Sequence, residues 1–292
     1  FQYHKNPESI EGHSKLFKQL AADIVITNTV GHDELDYPIL KAAGDIGIQT
    51  FTFIASWDNV WKIERLQKAG KPIHIADHTT VWNNMMKKHL LRIAPLLSED
   101  QVSICGAPRM DYFWHESKIP SKQELFDYIH LENPSKPLIH VATTELYPMD
   151  YVVKAIAKAQ STKQIPQSHI YASVHPGGDI SKHKTLENFG ATVRYSFGRQ
   201  ENSPHPSFAY IPTEKDIYML VALFKHADVL VNHSSSTALE SIIASTPVIN
   251  VKYGKPLDWW NWRRSMVYRD FDQHYIDLLK DYGNQGVSIN KE

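Results

Sequence analysis

The stretch that decides the fold is "VNHSSSTALESIIASTP", residues 231–247. Upstream, "ADVLV" is a buried-strand pattern that ends at Asn232-His233. Downstream, "TALESIIAS" carries apolar residues at helical spacing. Ser234, Ser235, Ser236 and Thr237 therefore fill a strand-to-helix turn and the first helical turn. The unbonded backbone N–H groups of such a turn, with the positive end of the helix dipole, make a ready anion site. One hydroxyl suffices to cap a helix. Four at one junction suit a phosphate, whose oxygens accept further donors, and plain capping stays open beside that reading. Glu240 follows Ser236 by four residues and shares its side of the helix. A carboxylate there suits ribose hydroxyls; an ordinary solvated helix glutamate is the bland alternative.

Working outward, strand and helix signals alternate along the whole chain. Strands are expected at 23–29, 48–56, 78–82, 102–106, 137–144, 169–175, 192–197, 228–233 and 247–253. Helical patterns fall at 34–43, 83–90, 150–159, 214–226 and 236–245, with a short one at 123–131. That alternation predicts an α/β protein with parallel sheets. The Pro/Ser/Lys-rich segments "SKIPSK" and "ENPSKP" divide it. We expect a short Rossmann-like unit over 1–118 that lacks some upstream residues, and a second over 119–258. A tail over 259–292 is expected to pack back on them. Two such units are expected to face a cleft at the carboxyl ends of their strands.

The bulk composition narrows the function classes. The 292 residues are 42% hydrophobic and 22% charged, as in ordinary globular proteins. A net charge of −1 provides no global basic field for nucleic acid. Cys105 is the only cysteine, which excludes an intramolecular disulfide and a Cys-rich zinc site. No apolar run approaches the ~20 residues that span a bilayer. A cytoplasmic setting is expected. The Trp-rich "DWWNWRR" (258–264) reads first as tail packing and second as a contact for glycan or for the inner face of a membrane.

Other candidate groups lie at strand ends. "SVHPGGD" (173–179) holds His175 at a tip where an imidazole can donate to phosphate. "HVATTE" ends in Thr143 and Thr144, which can touch phosphate or cap the next helix. Pro212, before the 214–226 helix, is a candidate wall for a base, and Lys252 ends the last strand of the unit. In the first unit, Asp58 of "SWDN" is a candidate base or a turn cap. His32 and Asp33 can bind or deprotonate an acceptor hydroxyl, or cap a helix. "HIADH" (74–78) has metal-like residues, but its second histidine begins a strand, so the helical ligand spacing fails.

Taken in order, "SWDN", "GAPRMDYF", "HP" and "ADVLVNHSSSTALE…TPVI" resemble the GT-B superfamily over roughly residues 48–253. The nearest groups are bacterial surface-polysaccharide glycosyltransferases and CDP-glycerol glycerophosphotransferase-like proteins. The resemblance implies a nucleotide-sugar donor, UDP-, CDP- or CMP-linked, in the second unit. It implies a glycan or lipid-linked glycan acceptor on the first, with no bound metal or cofactor. It places donor phosphate at the positions of His175 and Ser234 to Thr237, and ribose or sugar at Glu240. The leading expectation is a glycosyltransferase. A CDP-glycerol-type polyol phosphate transferase, a sugar-nucleotide 2-epimerase and a non-catalytic two-lobed binding protein are the alternatives.

Overall fold

The computed structural model describes residues 7–28, 36–143, 149–199, 210–233, 235–251 and 286–289. The chain divides into two compact units, 1–109 and 110–292.

The first unit runs α1 (Pro7–Gln19), β1 (Ile24–Thr27), α2 (Tyr37–Asp45), β2 (Gln49–Phe53), α3 (Asn59–Lys68), β3 (His78–Val81), α4 (Asn84–Ile93) and β4 (Val102–Ile104). Its four strands pair in parallel in chain order, β1-β2-β3-β4. Right-handed crossovers in a sheet of that order carry the connecting helices to one face. That face buries Ile54, Val60, Ile63, Val81, Met86 and Leu90. Threonines share it: Thr27 and Thr52 are buried and their hydroxyls meet at 2.7 Å. The other face is apolar and open, with Ile24 47%, Ile26 58% and Phe53 42% exposed. Asp77 of the "HIADH" segment is committed to the fold, since it accepts from the Thr50 backbone N–H and hydroxyl at 2.9 and 2.8 Å. Among the described residues no group of three His, Cys, Asp or Glu could hold a metal.

The second unit runs α5 (Lys122–Ile129), β5 (Leu138–Ala142), α6 (Asp150–Ser161), β6 (His169–Val174), β7 (Ala191–Tyr195), α7 (Glu214–His226), β8 (Val229–Asn232), α8 (Ser236–Ile243), β9 (Val248–Val251) and β10 (Gly286–Ile289). A 3-10 segment, Ile180–Phe189, joins β6 to β7. All pairings are parallel, in the order β10-β9-β8-β5-β6-β7. One face packs on α6 and the 3-10 segment through Val141, Val153, Ala172 and Val193. The other packs on α5 and α7 through Phe126, Leu138, Tyr171 and Leu223. Covered on both sides, β5 is buried at every position, which is why its sequence is a continuous run rather than an alternation.

Each expected strand has a counterpart, most of them shorter than the expected run, and β7 begins one residue earlier, at Ala191. Sequence patterns did not anticipate α1, α3 or the sixth strand, β10. The boundary by contacts is at 109/110, where composition suggests 118. The 3-10 turns Pro108–Trp114 and Glu116–Lys118 explain this. They pack on α7, with His115 Nδ1 2.7 Å from the Tyr218 hydroxyl and Lys118 paired to Glu214 at 2.8 Å.

One glycine fixes the loop that follows β7. Gly198 has φ +83°, and a Cβ there would lie 2.7 Å from Pro212 Cβ and 2.8 Å from its Cα. Gly198 also accepts the Ile211 N–H at 3.0 Å through its carbonyl. Gly198→Ala is therefore expected to cost about 1–3 kcal/mol through overpacking and left-handed strain. An unchanged urea midpoint would show that Pro212 yields without cost.

Candidate functional site

The second sheet reverses its strand order between β5 and β8. The chain leaves β5 for α6 on one face and leaves β8 for α8 on the other. Open α/β sheets bind ligands in the crevice at such a reversal, beyond the carboxyl ends of the strands. The tips that meet there carry Thr143 after β5, His175 after β6, and His233 and Ser235 after β8.

The α8 turn is capped. Ser235 has extended backbone, and its Oγ accepts from the Thr237 N–H at 3.2 Å while bonding to the Thr237 hydroxyl. Capping thus accounts for Ser235, as one of the two readings required. Ser236 and Thr237 are half-buried at the start of the helix. Glu240 is buried, 7% exposed. Ser234, Lys252 and Thr144 lie outside the described residues, as do His32 and Asp33.

His175 is exposed at its tip, and the turn after it is closed twice. The Gly178 N–H donates to the His175 carbonyl at 2.8 Å and the Gly177 N–H to His175 Nδ1 at 3.1 Å. With Nδ1 accepting, a neutral ring carries its proton on Nε2, the tautomer able to donate to an anion. Thr143 is differently placed from the expectation. Its hydroxyl donates to the Ser173 carbonyl at 3.0 Å, so its proton serves the β5–β6 junction, and the oxygen retains only acceptor capacity. Pro212 stands beside Gly198 at the end of β7.

His233 and Tyr151 are the site residues the sequence did not flag. His233 Nδ1 lies 2.6 Å from the Val251 carbonyl, which can only accept, so Nδ1 bears the proton. The bare Nε2 then accepts from the Tyr151 hydroxyl at 3.2 Å. Burial pushes His233 down to about 4, against the carbonyl bond that favours its charged form. A histidine ending a buried strand was the available signal. Deeper in the sheet, His140 meets the Ser173 hydroxyl at 2.7 Å, and burial pushes it down to about 3.

In the first unit, Asp58 precedes α3. Its Oδ1 accepts from Ser56 Oγ at 2.7 Å and its Oδ2 pairs with Lys62 at 2.9 Å. Burial opposes the charged form, but Lys62 and Ser56 outweigh it, and the carboxyl is held below its ordinary value. A carboxylate so held is a weak base, and the geometry favours an anchor for α3.

No protein-family model matches the chain, and no curated protein matches it. Solved structures do. The chain is similar to UDP-GlcNAc 2-epimerase from Methanocaldococcus jannaschii, with TM-score 0.56 and 12% identity over 97% of this chain and 70% of that one. It is similar to the Neisseria meningitidis UDP-GlcNAc 2-epimerase bound to UDP-GlcNAc, with TM-score 0.54 and 12% identity over 97% and 75%. It is similar to UDP-N-acetylglucosamine 2-epimerase from Rickettsia bellii, with TM-score 0.53 and 17% identity over 84% of this chain and 62% of that one. At these identities the likeness carries the fold, a GT-B-type pair of parallel α/β units.

Two expectations follow. The unfolded chain protonates His140 and His233 near 6.5, while the folded rings stay neutral far below it. The unfolded state then binds more protons, so their contribution is full above about 6.5 and is lost as pH falls toward 4 and 3. Each ring steepens the loss by up to about 1.4 kcal/mol per pH unit. Urea unfolding between pH 7 and 5 is expected to show a shallower slope in His140→Gln than in the parent; equal slopes would contradict the assignment. Asp58→Asn is expected to lower stability by about 1 kcal/mol; an unmoved unfolding midpoint would remove the anchoring role.

Proposed function

We propose that the second unit binds a nucleotide-activated sugar and that the protein passes this sugar to a hydroxyl acceptor of a glycan. The observation that carries the reading is the crevice at the β5/β8 reversal. There the α8 N-terminus with the hydroxyls of 235–237 lies at one strand tip, and the His175 turn lies two tips away across β5. Helix N-termini favour anions through oriented N–H groups and the dipole. An imidazole donating through Nε2 adds a second contact to a diphosphate.

In this reading the acceptor hydroxyl attacks the anomeric carbon of the donor and loses its proton to a general base, the role His32 and Asp33 hold by sequence. The bond from that carbon to the diphosphate oxygen breaks, and the electron pair leaves with the nucleotide. The negative charge that builds there meets His175 and the α8 turn, which favour the departing group electrostatically. Ser234 and Lys252 belong to the same proposal by position. Glu240, on the second turn of α8, belongs to the same proposal as a contact for ribose hydroxyls.

A second reading, inversion at a sugar carbon of a UDP-linked substrate, is favoured by the likeness to UDP-GlcNAc 2-epimerases. The bound nucleotide would be the same, and only the fate of the sugar would differ.

Calorimetry with UDP, CDP, GDP and CMP tests the shared part. We expect one nucleotide to bind, and His175→Ala to weaken it about tenfold, near 1.4 kcal/mol. Failure of all four would overturn both readings. Incubation with UDP-GlcNAc separates them: nucleotide released only with an acceptor supports transfer, and a new sugar epimer without acceptor supports the second reading.

A further inference from the structure

The turn that holds His175 contains two successive glycines, and such a backbone is soft unless something braces it. Here a side chain supplies the brace. Arg199, just beyond β7, donates from Nη1 to the Pro176 carbonyl, the residue after His175. Its guanidinium stacks 3.6 Å from the centre of the Tyr195 ring. Tyr195 is itself pinned, since its hydroxyl accepts the Ile180 N–H at 3.3 Å. Asp179 caps the segment that follows the turn, accepting from the Ser181 N–H at 3.0 Å and its hydroxyl at 2.7 Å. Arg199 thus joins the tips of two neighbouring strands, β6 and β7, through one planar group.

We propose that Arg199 is the positioning residue of the anion-binding turn: it clamps Pro176 to the end of β7 and so presents His175 Nε2–H to the diphosphate of a nucleotide ligand. This rests on the nucleotide reading above. The side chain suits the task because a guanidinium stacks flat on a ring and donates in its own plane at once. An ammonium offers a point charge and no plane. Its contribution is preorganisation: the imidazole is oriented before the ligand arrives.

The test uses the full chain with Arg199→Met, Arg199→Lys and His175→Ala. Calorimetry with UDP, CDP and GDP is run beside uridine, cytidine and guanosine, and imidazole NMR of His175 is recorded without nucleotide. We expect Arg199→Met to weaken the diphosphate about tenfold and the nucleoside not at all. Arg199→Lys should not rescue it, and adding Arg199→Met to His175→Ala should cost nothing further. The His175 ring resonances should move in Arg199→Met before any ligand is added. Full binding by Arg199→Met, or losses that add in full in the double variant, would overturn the clamp. Should the parent protein bind no diphosphate, the nucleotide reading fails by itself. The clamp is then judged on NMR, where unmoved His175 resonances in Arg199→Met overturn it. Should Arg199→Met not fold, Arg199→Lys carries the same NMR comparison.

Discussion

Everything at the candidate site depends on one topological constraint, the reversal of strand order between β5 and β8. Parallel strands need long connections, and those connections have a fixed hand. A chain that builds outward from β5 through β6 to β7, then returns to build from β8 to β9, sends its loops to opposite faces at the reversal. The two strands stay paired along their length, Val141 opposite Val231, and part only beyond their ends. The crevice is thus a consequence of handedness and connection, and the side chains only furnish it.

The furnishing is stiff because polar groups stitch the strand tips in pairs. His140 and Thr143 of the β5 segment bond to Ser173 of β6. Asn232 of β8 donates to Asn250 of β9 at 2.9 Å, and His233 bonds to Val251. These bonds run within each half of the sheet. Tyr151 crosses between halves, because it belongs to the helix that follows β5 and meets the histidine that ends β8. Buried polar groups cost stability unless paired.

Much of the fold was legible in the sequence because buried parallel strands are written as short continuous apolar runs, such as "LIHVA" and "VLVN". Their order was not legible. Pairing of β5 with β8, ninety residues apart, leaves no local mark. Helix α3 was hidden because "WDNVWK" reads as a turn, and its anchor is an ion pair between Asp58 and Lys62 rather than a strong cap. The serine turn was legible as an anion site and also as a cap, and the bond from the Thr237 N–H to Ser235 is the cap. The role of Thr143 was not, since its proton goes to a carbonyl thirty residues away. Arg199 escaped for the same reason: its hydrogen bond goes to a carbonyl in another loop, while its ring partner Tyr195 ends the strand before it.

The two units differ in how they use the polar groups at their strand ends. In the described strands of the first unit the order follows the chain without reversal, so that sheet opens no crevice of its own between neighbouring tips. Its polar groups at the strand ends turn inward to structure: Asp77 holds Thr50, and Asp58 holds Lys62. Its outer face is apolar, set by Ile24, Ile26 and Phe53. The second unit spends its strand-end polar groups differently, on a capped helix start, an oriented imidazole and a braced turn. The described strand-end polar groups of the first unit thus hold its own fold, while those of the second gather at the tips beside the reversal.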